Sequence, residues 1–484
     1  MRLKNLSLAA VAVAMCAMVS CHRTCEVELK PHEAIVQYFT KDMVQPAEGM
    51  DKWAVYFDFS DGMQHAYAPE ATREVVRDVV QKLTGSSARF DMYSLADDTI
   101  RQLPVKINDL FNTIVDAKSY AHQQAPIEKA LKKIVGEGRS AIMVTDFEEY
   151  TPDKRIQNSP FATPYFRTWL QRGGDITFYV TPFKEGSKDK WLYYIVFDNA
   201  RHDLLAFFED GLKSATPNYR RFHLSTHPYD VKTSYLSASK GGTFHDPDGE
   251  DFVTSSVEDG SDDSFCAFPA LKMEYYNFDA TWPDIVVDAK SQSDSELPSK
   301  ERFKHLLSGA SIDLSNTDSY RVKALDLRVL DVTEDYGRFA KWLKAKACPP
   351  EKDEDGEWIA TDYYDEKGQM RPEYVYTAPD LVPQVPDMLV FNKEAFEGVA
   401  DASAKPIAID FNPGFGGTMA GGKVPQMLRV DVVIAQAEPC TENLDELFAW
   451  KGNDNLASSI RNVLQELRPE GTPVYTYFIK TNEQ

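Results

Sequence analysis

Hydrophobic and polar positions follow two rhythms in the first half of the chain. Trp53 to Phe59 is an apolar run interrupted only by Asp58, as expected of a strand covered on both faces of a parallel sheet. "APEATREVVRDVVQKLTG" then turns to a helical period. Val75, Val76, Val79, Val80 and Leu83 fall on one side, with Pro69 near the start and Gly85 placed as a C-cap. "ARFDMYSLAD" reads as a second strand, and "APIEKALKKIVGEG" as a helix with Ile127, Ala130, Leu131 and Ile134 inward. "SAIMVTDFEEY" is a third strand and ends in carboxylates. "TPYFRTWLQRGG" is helical, "DITFYVTPF" and "KWLYYIVFDN" are strands, and "ARHDLLAFFEDGLKS" and "RRFHLSTHPYD" complete the unit. Strands alternating with amphipathic helices predict an α/β domain over residues 51–240, an open and mostly parallel sheet with helices on both faces.

Beyond about residue 265 the alternation is lost. "ALKMEYYNF", "DIVVDAK", "YRVKALDLRVLDV", "KPIAIDF", "MLRVDVVIAQA" and "PVYTYFIKT" read as strands, several with one inward and one wet face. "RFAKWLKAKA" and "NLASSIRNVLQELRP" read as helices, and residues 349–387 as an acidic, Pro-rich excursion. Residues 265–484 are therefore expected to form an α+β, strand-rich region, reached through an acidic linker at 241–264.

The N-terminus has a different pattern. Arg2 and Lys4 precede an apolar stretch from Leu6 to Val19, too short to span a bilayer and of signal-peptide form over residues 1–20. It ends in "AMVSC", which resembles the bacterial lipobox, with Met18 where Leu is usual. That resemblance implies cleavage before Cys21, lipidation of Cys21, and attachment to the outer membrane of the cell envelope through a tether at 21–50. Acyl chains contribute about 0.8 kcal/mol per buried methylene, so several chains anchor a protein firmly.

Composition narrows the partners. Of the 484 residues 43% are hydrophobic and 12% aromatic, ample for packed cores, and the formal charge is −22. So acidic a chain repels phosphate backbones, which argues against nucleic acid and leaves a protein partner as the expectation. Past the tether's first residues the cysteines are sparse, and no CxxC pair or His/Cys cluster suggests zinc.

Candidate chemistry sits where the first strand ends. "DFSDG" places Asp58, Ser60, Asp61 and Gly62 in a short polar loop, and "IMVTDFEE" places Thr145 and Asp146 at the end of a later strand. In an open sheet both ends lie where ligands bind. This arrangement resembles the von Willebrand factor A family, in which an Asp-x-Ser-x-Ser loop, a Thr from a later loop and an Asp after the fourth strand hold a divalent cation. Asp58 and Ser60 match, Gly62 replaces the second Ser, and Asp146 matches the later Asp. "SYAHQQAP" lacks the Thr, leaving Gln124 as an oxygen donor, and Asp61 as a further one. The resemblance implies a site for Mg2+ or another divalent cation on Asp58, Ser60 and Asp146, and a binding or envelope-assembly role without catalysis.

Two other readings stay open. Asp58 and Asp146 serve equally as turn and cap residues in a structural protein with no metal site. Haloacid dehalogenase-type phosphatases also place a nucleophilic Asp after a first strand, which would make the chain a cell-envelope hydrolase using Asp58, although Ser60 stands where their acid/base Asp is found. "GTFHDPDGEDF" has the oxygens of a calcium loop but not its spacing. "GTMAGGKV" has Gly-x4-Gly-Lys without the hydroxyl or the following helix that a phosphate loop needs.

Overall fold

The computed structural model describes residues 37–38, 41, 52–67, 81, 90–103, 107–199, 203–212, 219–233, 243–245, 251–254, 265–268, 271–278, 307–379, 389–411, 427–450 and 452–481. Cys21 and the signal segment, nearly all of the helix expected at 68–85, the "DIVVDAK" strand, most of the calcium-like loop and the Gly-rich segment at 412–426 lie outside them.

The first half is built on a seven-stranded sheet. Its strands are β1 (Trp53–Asp58), β2 (Phe90–Ala96), β3 (Thr99–Gln102), β4 (Ala141–Thr145), β5 (Asp175–Glu185), β6 (Lys188–Asp198) and β7 (Arg220–Leu224), in the order β3-β2-β1-β4-β6-β5-β7. Only the centre is parallel, β1 pairing with β2 on one side and β4 on the other. β3, β6, β5 and β7 join antiparallel. The sheet is thus mixed rather than mostly parallel. The physical reason is local: β5 and β6 are joined by a two-residue turn at Gly186 (φ +60°) and Ser187. A connection that short can only reverse the chain, whereas a parallel pair needs a long crossover.

Helices cover both faces, as the apolar periodicity anticipates. After the single turn α1 (Met63–Ala66), α2 (Ile107–Val115) packs on one face. There Leu110 and Ile114, with Leu204 and Phe208, meet Val55, Phe57, Val144, Tyr194 and Val196. Helices α3 (Ile127–Glu137) and α4 (Thr163–Gln171) cover the opposite face, with Leu131, Ile134, Phe166 and Trp169 against Tyr56, Met143, Ile195 and Phe197. α5 (Asp203–Leu212) carries Leu204 and Phe208. Gly138 closes α3 in the left-handed region (φ +67°), a conformation that costs glycine nothing.

The remaining strands form further sheets. β8 (Asp230–Thr233) joins β13 (Leu307–Asp313), β16 (Lys405–Phe411) and β15 (Leu389–Phe391) in the order β15-β16-β13-β8. β9 (Thr243–His245) and β10 (Asp251–Thr254), in the stretch expected as an acidic linker, pair as an antiparallel hairpin. β11 (Phe265–Phe268), β12 (Leu271–Phe278), β14 (Tyr320–Asp331), β17 (Met427–Pro439) and β18 (Pro473–Thr481) make a five-stranded sheet in the order β11-β12-β18-β17-β14. α6 (Thr333–Ala347), α7 (Lys393–Glu397), α8 (Leu444–Phe448) and α9 (Asn455–Glu466) complete this half.

The two halves share one apolar core, which runs from Tyr56 and Phe178 through Phe448 and Ile460 to Tyr475. Phe448 from α8 meets Phe178 at 5.1 Å, Phe222 at 5.2 Å and Tyr193 at 5.9 Å between ring centroids. Thr163 Oγ1 donates to Ser459 O at 3.5 Å, Tyr193 OH to Leu447 O at 3.2 Å, and Asn455 Nδ2 to Gln157 O at 2.9 Å.

The acidic excursion after α6 holds a small repeat. Asp353 and Asp365 each close a tight turn, their Oδ1 atoms accepting from the amides of Asp355 and Glu357, and of Lys367 and Gln369. Gly356 (φ +85°) and Gly368 (φ +71°) supply the left-handed residue of each. Trp358 from the first turn lies directly on Gly368 of the second.

Candidate functional site

β1 lies between the two strands that the chain visits on either side of it, so the sheet order reverses at β1, and the carboxyl ends of β1 and β4 open side by side. Phe57 pairs with Val144, which sets Asp58 beside Thr145. Thr145 Oγ1 donates to Asp58 Oδ2 at 2.7 Å, and the Ser60 amide donates to Asp58 Oδ1 at 2.8 Å. Asp58 and Thr145 are fully buried, and Ser60 nearly so. The Phe147 amide in turn donates to Thr145 Oγ1 at 2.9 Å.

Phe147 adopts φ +61°, a left-handed backbone uncommon outside glycine. Its ring goes into the core against Phe161, while Asp146 and Glu148 on either side of it both turn to one cation. Lys190 Nζ lies 3.2 Å from Asp146 Oδ2, 2.8 Å from Glu148 Oε2 and 2.6 Å from Glu185 Oε2. Lys190 is 1% exposed, as is Asp146. Strand direction explains the meeting. Thr145 pairs with Tyr193 in antiparallel β6, so the first residues of β6 run past the end of β4 and carry Lys190 over Asp146 and Glu148. Glu185 arrives from the other arm of the same hairpin, where it pairs with Lys188. Trp450 stands over the ammonium with its ring centroid 5.0 Å from Nζ, a favourable placement for a cation.

The electrostatics follow from burial and crowding. Burial, then the neighbouring Asp146 carboxylate, pushes the Asp58 carboxyl up to about 7, against the bonds from Ser60 and Thr145 that favour its charged form. Burial and Asp146 likewise raise Glu148, with Lys190 opposing. Burial works against the Lys190 ammonium, but Asp146 and Glu148 outweigh it and hold its pKa above the ordinary value. Burial also disfavours the Glu185 carboxylate, yet Lys190 brings it below its usual range.

The structure therefore brings Asp58, Ser60 and Asp146 to one place. Asp61 is exposed, its amide donating to His122 O at 2.7 Å, and Gln124 is half-buried, its carbonyl accepting from the Asp97 amide at 2.7 Å. Sequence reasoning overlooked Lys190, Glu148 and Glu185. A signal existed: Lys190, Leu192, Tyr194 and Val196 fall on one face of β6, and a lysine on an apolar strand face needs a partner. A resident divalent ion does not fit this donor set, because the ammonium already takes an oxygen from each of Asp146, Glu148 and Glu185. Among the described residues no group of three or more His, Cys, Asp or Glu side chains is arranged to hold a metal ion, and no helix is long and apolar enough to cross a membrane. No protein-family model, curated protein or solved structure matches the chain.

Proposed function

We propose that the protein is an exported lipoprotein, held at the outer membrane through lipidated Cys21, and that it acts as a binding or envelope-assembly module on a von Willebrand factor A-like scaffold. The observation that carries the choice of binding over catalysis is the state of Asp58. It is 1% exposed, and both of its oxygens are engaged, by Ser60 and Thr145. A nucleophile must reach a substrate atom, and this carboxylate is committed to holding β1 and β4 together. The lipobox-like "AMVSC" supports the anchor, and the formal charge of −22 supports a protein partner over nucleic acid.

The test compares wild type with Cys21→Ser and Asp58→Asn. Wild type is expected in the membrane fraction and released from it by Cys21→Ser, with site-specific photo-crosslinks to a protein partner retained in Asp58→Asn. Hydrolysis of a phosphate monoester by wild type that disappears in Asp58→Asn would replace this reading with a hydrolase.

A further inference from the structure

The space between the carboxyl ends of β1 and β4 already holds a positive charge, and the loop beside it is shaped around that charge. A Cβ on Gly62 would lie 3.2 Å from Asp146 Oδ2, 3.4 Å from Lys190 Nζ and 3.8 Å from Glu148 Oε2. A side chain there would press on the Asp146 carboxylate, so the backbone of the loop approaches the cluster closely. Lys190 Nζ meets three carboxylate oxygens, from Asp146, Glu148 and Glu185, at 2.6 to 3.2 Å. Those oxygens come from the end of β4, the segment after it and the end of β5, so three separate backbone positions converge on one buried point.

Three carboxylates around one buried cation, with no nitrogen or sulfur donor, is the company that a hard divalent ion keeps. We propose that Lys190 is a built-in cation. Its ammonium takes the position that a divalent ion would otherwise need to fill, so the folded protein requires no divalent cation there. Removing the ammonium uncovers a latent cation site on Asp146, Glu148 and Glu185. Size sets the preference of that latent site. Calcium binds oxygens at about 2.3–2.6 Å and tolerates irregular geometry, whereas magnesium demands about 2.1 Å and a regular octahedron. Oxygens now spaced for an ammonium need to close in least for calcium, which is therefore the expected ion, with magnesium weaker. The inference is independent of the lipid anchor and of any partner.

The experiment is a thermal melt of wild type, Lys190→Met and Lys190→Met/Asp146→Asn in EDTA and in millimolar Ca2+, Mn2+ or Mg2+, with bound Mn2+ counted by electron paramagnetic resonance. Methionine keeps an unbranched aliphatic stem of similar length and removes the charge. Wild-type melts are expected to superimpose in all four solutions with no Mn2+ bound. Lys190→Met is expected to melt lower in EDTA, to recover by several degrees in Ca2+, and to bind one Mn2+, with both effects lost in the double variant. A wild-type rise with cation that Asp146→Asn abolishes overturns the proposal, as does a folded Lys190→Met that ignores every cation. Should Lys190→Met not fold, the same Mn2+ count on Lys190→Gln decides it, one bound ion supporting the proposal and none overturning it.

Discussion

Lys190 and Asp146 meet at 3.2 Å although each sits at the end of a different strand and each is 1% exposed. Their meeting depends on β6 running antiparallel to β4. In a parallel arrangement the amino end of β6 would lie beside the amino end of β4, at the opposite end of the strands, and the carboxylates after β4 would face one another without a cation.

Loss of the ammonium should therefore be costly. Removing one member of a buried ion pair leaves its partners charged and unpaired, typically at about 3–5 kcal/mol. Lys190→Met in EDTA should lose stability of that order, measured by urea unfolding at neutral pH, and the loss should shrink in acid as Glu148 and Glu185 take up protons.

Asp58 predicts a second pH dependence. Its carboxyl titrates near 7 in the fold against an ordinary 3.8, so between those values the folded chain holds a proton that the unfolded chain has released. Its contribution to stability is complete below pH 3.8, falls as pH rises toward 7, and is constant above. One carboxyl gives a slope of up to about 1.4 kcal/mol per pH unit. Urea midpoints of wild type and Asp58→Asn across pH 4 to 8 should converge or cross in that window, with the variant flatter. Glu149, which burial also raises to about 7, adds a background of the same sign in both proteins.

Thr145 holds two bonds at once, donating to Asp58 and accepting from the Phe147 amide. Thr145→Val keeps the shape and leaves that amide and one carboxylate oxygen short of a partner, at about 1–3 kcal/mol. Thr145→Ser should restore most of the loss. Thermal melts of the pair distinguish lost bonding from lost packing.

Phe448 tests whether the halves unfold together. It is buried against Phe178, Tyr193 and Phe222 on the first sheet. Phe448→Ala should cost about 3–5 kcal/mol. Because the core is continuous, calorimetry should show the single transition move down rather than split. Two resolved transitions in wild type would contradict a shared core.

Gly368 tests the small repeat. A Cβ there would stand 2.6 Å from Trp358 Cδ2, and its φ of +71° disfavours any side chain. Gly368→Ala should displace Trp358 and raise amide exchange over residues 351–371, leaving exchange in β1 and β4 unchanged.

Much of the first sheet was legible because burial imposes composition. The Trp53–Phe59, Ala141–Thr145 and Leu192–Phe197 runs could lie nowhere but inside, and the spacing of Ile127, Ala130, Leu131 and Ile134 fits only a helix lying on that sheet. The polar ends of β1 and β4 were legible too, since Asp58 and Asp146 follow apolar runs directly. Strand direction was not, because an apolar run reads the same whichever way its neighbour points. What decided it was the two-residue turn at Gly186 and Ser187, a local feature with a long-range consequence. That turn brings Lys190 back over the carboxylates, and the identity of the cation at this site depends on it. The union of the two halves was equally hidden. Phe448 and Ser459 look like ordinary residues of ordinary helices, and only the packed structure sets them against Phe178 and Thr163, since burial by a distant part of the chain leaves no local periodicity to read.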